Sequence, residues 1–241
     1  MMADQSGTVQ ARASQQTTVS TAEGADLTRL VIGILGGTGD QGRGLARRLS
    51  MAGHPVVIGS RDADRAKSVA AGLGAELLAG ELNSAAAAKA DVVIAAMPWE
   101  GHRDLLSSLT AELAGKVVVD CVNPMGFDAR GAYAITVPEG SAAEQAAAVL
   151  PDSTVVGAFH HVSAALLLDP GIARIDLDVL VLGDDRAATD LIAAIAAQIP
   201  GMRGIYAGRL RNCGQVEALT ANLVSINRRY KAHAGLRITD V

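Results

Sequence analysis

Gly37, Gly39 and Gly42 stand in the order G-x-G-x-x-G within LVIGILGGTGDQGRGLARRL, residues 30–49. Alone the string is weak. Here it leaves an apolar run and opens a helix-like stretch, the context in which such a turn cradles a dinucleotide. In that reading Gly37 permits the tight turn, Gly39 lets a pyrophosphate approach the backbone, and Gly42 lets helix and strand pack closely. The helix N-terminus adds free N–H groups and a partial positive charge. Thr38, Asp40 and Gln41 line the turn, and the Thr38 hydroxyl can donate to a phosphate oxygen.

The second strand of such a fold selects the cofactor. An NAD site carries Asp or Glu about 20 residues after the glycines, gripping the ribose hydroxyls. Here Gly59-Ser60-Arg61 ends that strand, and no carboxylate occupies its end. Ser60 can donate to a 2′-phosphate. Arg61 can fork onto it and stack on the adenine, and Arg65, one helical turn on, adds a second charge. The pattern predicts NADP(H), with Asp62 left to cap the following helix.

Ligands in an open α/β sheet lie beyond the carboxyl ends of the strands. Met97-Pro98-Trp99 and Val122-Asn123-Pro124 end two later strands there, so Met97, Pro98, Trp99 and Asn123 should border the nicotinamide end. His160 and His161 follow a further strand. They are the few proton donors on this edge: no Ser-x-x-x-Lys or Tyr-x-x-x-Lys pair opens a helix, and no His/Cys cluster has metal spacing. No catalytic acid or base is therefore assigned. Such a site suits an acceptor that needs placement more than protonation, and a second flat redox cofactor meets that description.

These residues need a scaffold. Strands are expected at Leu30–Leu35, Val56–Ile58, Glu76–Leu78, Val92–Ala96, Val117–Cys121 and Thr154–Ala158. Helices are expected at Asp40–Met51, Asp62–Leu73, a short Ala-rich piece capped by Asn83, Trp99–Leu113 and Ser141–Leu150. The strand runs are continuously apolar, which marks a parallel sheet covered on both faces. The fold class is α/β: a doubly wound, Rossmann-like domain over 29–158. A smaller C-terminal α/β region over 159–241 would hold strands at Val179–Leu182 and Arg203–Tyr206 and helices at Ala187–Gln198 and Arg211–His233. On the last helix Val216, Leu219, Leu223, Ile226 and Tyr230 form one apolar stripe, readable as packing within the chain or as a homodimer seam.

The chain has 241 residues, 49% of them apolar, and a formal net charge of -4, so a globular body with no basic field for nucleic acid is expected. No apolar run approaches the ~18–20 residues of a membrane helix. Cys121 and Cys213, with no CxxC pair, suit a reducing cytoplasm. Residues 1–28 are rich in Ser, Thr, Gln and Ala, carry no secretory pattern, and are read as a disordered tail.

GILGGTGDQGRGLARRL, VVIGSR, AAMPWEGH and GAFHHVSAALL together resemble the NADPH-dependent coenzyme F420 oxidoreductases, over about residues 29–240. The resemblance implies hydride transfer between NADP(H) and a deazaflavin. It implies that Thr38, Gly39, Asp40 and Gln41 bind the pyrophosphate, that Ser60, Arg61 and Arg65 grip the 2′-phosphate, and that Met97, Pro98 and Trp99 run along the nicotinamide. It also implies that His160, Val162 and Ala164 lie between the two rings, with Ala164 nearest the nicotinamide. The deazaflavin would sit in a cleft under the C-terminal portion of a dimer. Arg203, Arg209 and Arg211 are candidates for its acidic tail. Two other readings compete: an imine or carbonyl reductase with Tyr206 or His161 as the acid, and a non-enzymatic NADP(H)-sensing module.

Overall fold

The computed structural model describes residues 26–241. Residues 1–25 of the expected tail lie outside that range. Within the rest of it, Asp26 caps a 3-10 turn at Leu27–Arg29.

Ten strands and nine helices follow among the described residues. β1 (Ile32–Leu35), β2 (Val56–Ser60), β3 (Leu78–Leu82), β4 (Val92–Ala95) and β5 (Val117–Asp120) alternate with α1 (Asp40–Met51), α2 (Ala63–Gly72), α3 (Asn83–Lys89), α4 (His102–Ser107) and α5 (Thr110–Leu113). A two-stranded hairpin, β6 (Met125–Asp128) and β7 (Gly131–Ala134), precedes α6 (Ala142–Val149) and β8 (Thr154–Gly157). Last come α7 (Ala164–Leu168), β9 (Leu177–Gly183), α8 (Arg186–Ala197), β10 (Met202–Gly208) and α9 (Cys213–Tyr230).

The eight-stranded sheet has the order β10-β9-β8-β5-β4-β1-β2-β3. All neighbours are parallel except β8 and β9, which pair antiparallel through Val156↔Gly183 and Gly157↔Leu182. β1, β2 and β4 are buried throughout their length, as continuous apolar runs require. One core on each face of the sheet covers these strands: Ile32, Ile58 and Leu45 on one side, Leu35, Val93 and Leu106 on the other. Because β9 hydrogen-bonds to β8, residues after 159 extend the same sheet as residues 29–158.

Four local expectations need correction. The helix expected over Trp99–Leu113 is three pieces: a 3-10 turn at Trp99–Gly101, α4 and α5. Ser108 Oγ donates to Leu105 O at 2.8 Å, and serine bonding back to the backbone competes with helix continuation. The third strand lies at Leu78–Leu82, later than Glu76–Leu78, because β3 must pair along β2 from Val56↔Leu78 to Ser60↔Leu82. Asn83 is the first residue of α3, with Leu82 at the cap position. The hairpin was not expected; Asp128 Oδ1 closes it by accepting from Arg130 N–H at 2.7 Å and Gly131 N–H at 3.2 Å.

Candidate functional site

The strand order reverses between β1 and β4, leaving a crevice at their carboxyl ends. A cleft of about 940 Å³ occupies it. It brings together Thr38 and Gly39 from the turn after β1, Ser60, Arg61 and Arg65 from the end of β2 and the start of α2, and Met97 and Pro98 after β4.

The turn is built as the glycine spacing requires, with one difference. The left-handed residue is Gly36, φ +66°, one position before the motif. Gly37 and Gly42 instead permit contact: a Cβ on Gly42 would lie 2.6 Å from Gly37 Cα. A Cβ on Gly39 would meet only Gly36 O at 3.8 Å, so its outer side is open to a ligand. Gly39 also caps α1 without any side-chain hydrogen bond, so no side chain takes the first N–H groups of that helix. Asp40 is exposed and pairs with Arg43 at 2.6 Å.

At the end of β2, Ser60 Oγ accepts from Asp62 N–H at 3.2 Å and keeps its own hydrogen to donate. Asp62 is the N-cap of α2, accepting from Asp64 N–H at 2.9 Å and Arg65 N–H at 3.1 Å. Its carboxylate is thereby engaged at the helix start, as expected. Arg61 and Arg65 are exposed, and neither joins an ion pair among the described residues. Asn83 was missed as a site residue: it lines the cleft and its Oδ1 accepts from Gly36 N–H at 3.2 Å, locking the turn. Its position after β3 was readable as a cap; the contact across 47 residues was not.

The remaining sequence candidates lie around the cleft rather than in it. Trp99 opens the 3-10 turn, half-buried, its ring centroid 5.5 Å from that of His102. Asn123 Nδ2 donates to His160 O at 2.8 Å, and its Oδ1 is buried without a partner. Gln41 Nε2 donates to Phe159 O at 3.2 Å. Phe159 holds a left-handed φ of +62° and is fully buried, so the turn carrying His160 is strained and pinned from two sides. Val162 is buried, and Ala164 begins α7.

The His160 imidazole points inward. Burial pushes it down to about 4, and it stands 3.9 Å from Glu217 Oε1 with neither ring nitrogen hydrogen-bonded. Glu217, from α9, accepts from Ala142 and Ala143 N–H at the start of α6, and burial pushes its carboxyl up to about 7. Nearby, His102 Nε2 and Asp120 Oδ2 are 2.6 Å apart and wholly buried. Burial opposes charge on His102, and the Asp120 carboxylate outweighs it. Of this polar cluster His160 was a named candidate and His102 sat in the quoted AAMPWEGH, but Asp120 and Glu217 were missed.

Of the arginine and acid candidates outside the cleft, two arginines already have carboxylate partners. Arg203 forks onto Asp178 through two 2.7 Å contacts and also donates to Ile238 O, so it ties the C-terminal segment to β9 and is not free for an acidic tail. Arg209 faces Asp184 at 3.4 Å, while Arg211 is exposed. Tyr206 is on edge strand β10, outside the cleft. His161, which burial pushes down to about 4, has its Nε2 facing Leu180 N–H at 3.4 Å.

The residues present fit a phosphorylated dinucleotide: an uncapped helix start, an open glycine face, two unpaired guanidiniums and a free hydroxyl converge on one crevice. Residues 31–124 match the family described as NADP oxidoreductase, coenzyme F420-dependent. Over 222 residues the chain is 39% identical to the F420-dependent NADP reductase of Methanothermobacter marburgensis, covering 87% of this chain and 98% of that one. The chain belongs to the coenzyme F420-dependent NADP oxidoreductase family. The family's reductase of Methanocaldococcus jannaschii is 37% identical over 87% of this chain and 98% of its own length. A 1.70 Å crystal structure of a candidate F420-dependent NADP-reductase from Arthrobacter sp. FB24 superposes with a TM-score of 0.75 at 26% identity, over 88% of this chain and 99% of that one. The family match begins one residue before β1 and ends at Pro124, so it takes in the turn, Ser60, Arg61 and Arg65, and the ends of β4 and β5.

Proposed function

We propose that the protein is an oxidoreductase that passes a hydride between NADP(H) and coenzyme F420. The observation that carries the reading is the adenosine end of the cleft: Ser60, Arg61 and Arg65 gathered there, the two arginines in no ion pair among the described residues and Asp62 engaged as the cap of α2, in a chain of this family. When bound, the two cofactors supply the chemistry, a hydride moving between a nicotinamide carbon and a deazaflavin carbon, with one proton exchanged with water. The protein's part is placement. The N-terminus of α1 and Thr38 hold the pyrophosphate, and Arg61 and Arg65 hold the 2′-phosphate with Ser60 donating to it. Met97 and Pro98 border the nicotinamide. Asn123 steadies the turn that leads into Val162 and Ala164, the segment assigned to the space between the rings. His160 supports that turn from beneath, uncharged near neutral pH because burial lowers it to about 4.

The same reading includes a homodimer. The stripe on α9 divides: Val216 and Leu223 are buried in the chain, whereas Ile226 is 40% and Tyr230 73% exposed. Phe127 and Tyr133 of the hairpin are exposed too, and α9 packs against that hairpin, so both elements offer apolar side chains to a second copy. A cytoplasmic setting fits two buried, unpaired cysteines. No described helix is long and apolar enough to cross a membrane, and the net charge of -4 offers nucleic acid no basic field.

Mixing the purified protein with NADPH and the oxidised deazaflavin tests the function. Loss of deazaflavin absorbance with a matching loss of NADPH is expected. NADPH binding with no turnover would replace the reading with a cofactor-sensing one.

A further inference from the structure

α1 does more than present its N-terminus. Gln41, Gly44 and Arg48 recur at i, i+3 and i+7, so they share one face of the helix. Each meets the segment 159–172. Gln41 Nε2 donates to Phe159 O at 3.2 Å. Gly44 lies under Leu167: a Cβ there would stand 2.5 Å from Leu167 Cβ, the base of that side chain, so α7 itself would have to move. Arg48 is 2% exposed and has no carboxylate partner among the described residues. Its guanidinium instead donates to four carbonyls at the C-terminal side of α7: Leu167 at 2.8 Å, Ile172 at 2.7 Å, Leu166 at 2.7 Å and Asp169 at 3.0 Å.

A buried cation held only by carbonyls is an expensive device for fixing a five-residue helix. Apolar packing would fill the space at lower cost. What the guanidinium adds is direction: a planar fork of five N–H donors fixes distance and rotation of α7 against α1 together. The first residue of α7 is Ala164, and Val162 lies two residues before it. The helix that meets the pyrophosphate at one end therefore grips, along one side, the segment assigned to the ring-to-ring contact.

We propose that Gln41, Gly44 and Arg48 are positioning residues for hydride transfer, setting the spacing between the NADP(H) site and the acceptor side of the cleft through α7. The proposal rests on the hydride-transfer reading above. An error of about 1 Å in such spacing costs on the order of a hundredfold in rate, while the phosphate contacts at the other end of α1 are untouched.

The test compares wild type, Arg48→Met, Arg48→Lys and Gly44→Ala in single turnover with NADPH and the oxidised deazaflavin. NADPH affinity is measured separately by fluorescence titration. Arg48→Met and Gly44→Ala are expected to slow the hydride step by about ten- to a hundredfold and to leave NADPH affinity within about twofold. The isotope effect with NADPH deuterated at the transferred position should rise as that step comes to limit turnover. Arg48→Lys, which keeps a charge and some donors, should recover part of the rate. If Arg48→Met does not fold, Gly44→Ala decides, since it removes no polar contact. A folded variant with wild-type rate, or a loss of NADPH affinity equal to the loss of rate, overturns the positioning role. A wild-type protein that binds NADPH but reduces no deazaflavin overturns the functional reading instead, and this proposal with it.

Discussion

Arg61 and Arg65 stand at the cleft in no ion pair among the described residues, and that fixes what their removal should do. Arg61→Ala should weaken NADPH by about ten- to a hundredfold, the worth of one charge-assisted contact, and leave NADH nearly unchanged. Equal losses in a titration of both cofactors would refute the 2′-phosphate role. Glu217 makes a different prediction. Its folded carboxyl is raised to about 7 from an ordinary 4.5, so between those values the native state holds a proton that the unfolded chain releases. Its contribution to stability is complete below about 4.5 and is lost as pH rises through 7, on the order of 3 kcal/mol in all. His160 and His161, lowered to about 4, act oppositely, adding stability as pH rises from 4 towards 6.5. The difference between wild type and Glu217→Gln isolates the first effect: urea unfolding should show wild type losing ground to the variant from pH 4.5 to 7. A pH-independent difference would mean the carboxyl titrates normally. Ser60 and Arg61 could be read from the chain because the second-strand position is local to the glycine turn. Glu217, Asp120 and His102 could not: their meeting depends on α9 crossing to α6 and β5, and no spacing encodes that.

α1 shows how far an element follows from its residues. Asp40–Met51 agrees residue for residue between sequence and structure, because a glycine cap, an apolar stripe and the Ala52-Gly53 stop all act locally. The stretch Trp99–Leu113 has helix-like periodicity but breaks where Ser108 turns back on Leu105 O, a competition that pattern alone does not resolve. Gly42→Ala tests the packing that α1 needs. The added Cβ would press on Gly37 backbone from 2.6 Å, so a stability loss of about 1–3 kcal/mol is expected. Both NADPH and NADH should bind less well, in contrast to Arg61→Ala. An unchanged denaturation midpoint would show that the turn yields freely.

At the scale of the molecule, β1, β2, β4 and β5 were legible from continuous apolar runs, whereas β3, LAGEL, is half-polar and lies later than expected. The direction of β9 was not legible: an antiparallel strand buried on both faces reads like a parallel one. The hairpin was hidden by its brevity, four residues a side with a glycine in each strand. Its exposed Phe127 and Tyr133, with Ile226 and Tyr230, carry the assembly prediction. Ile226→Asp with Tyr230→Asp should halve the mass seen by sedimentation while each chain stays folded; a wild-type protein sedimenting as one chain would remove the dimer.

The reversal of β9 has a mechanical consequence. Only its last residues pair with β8; the stretch from Leu177 to Val181 runs on past the end of β8, at the edge where the cleft opens. One flank of that edge is thus the same hydrogen-bonded ribbon as the nucleotide half, with no swivel between them. Loading both coenzymes should leave the small-angle scattering profile almost unaltered, because one sheet runs through both halves of the chain.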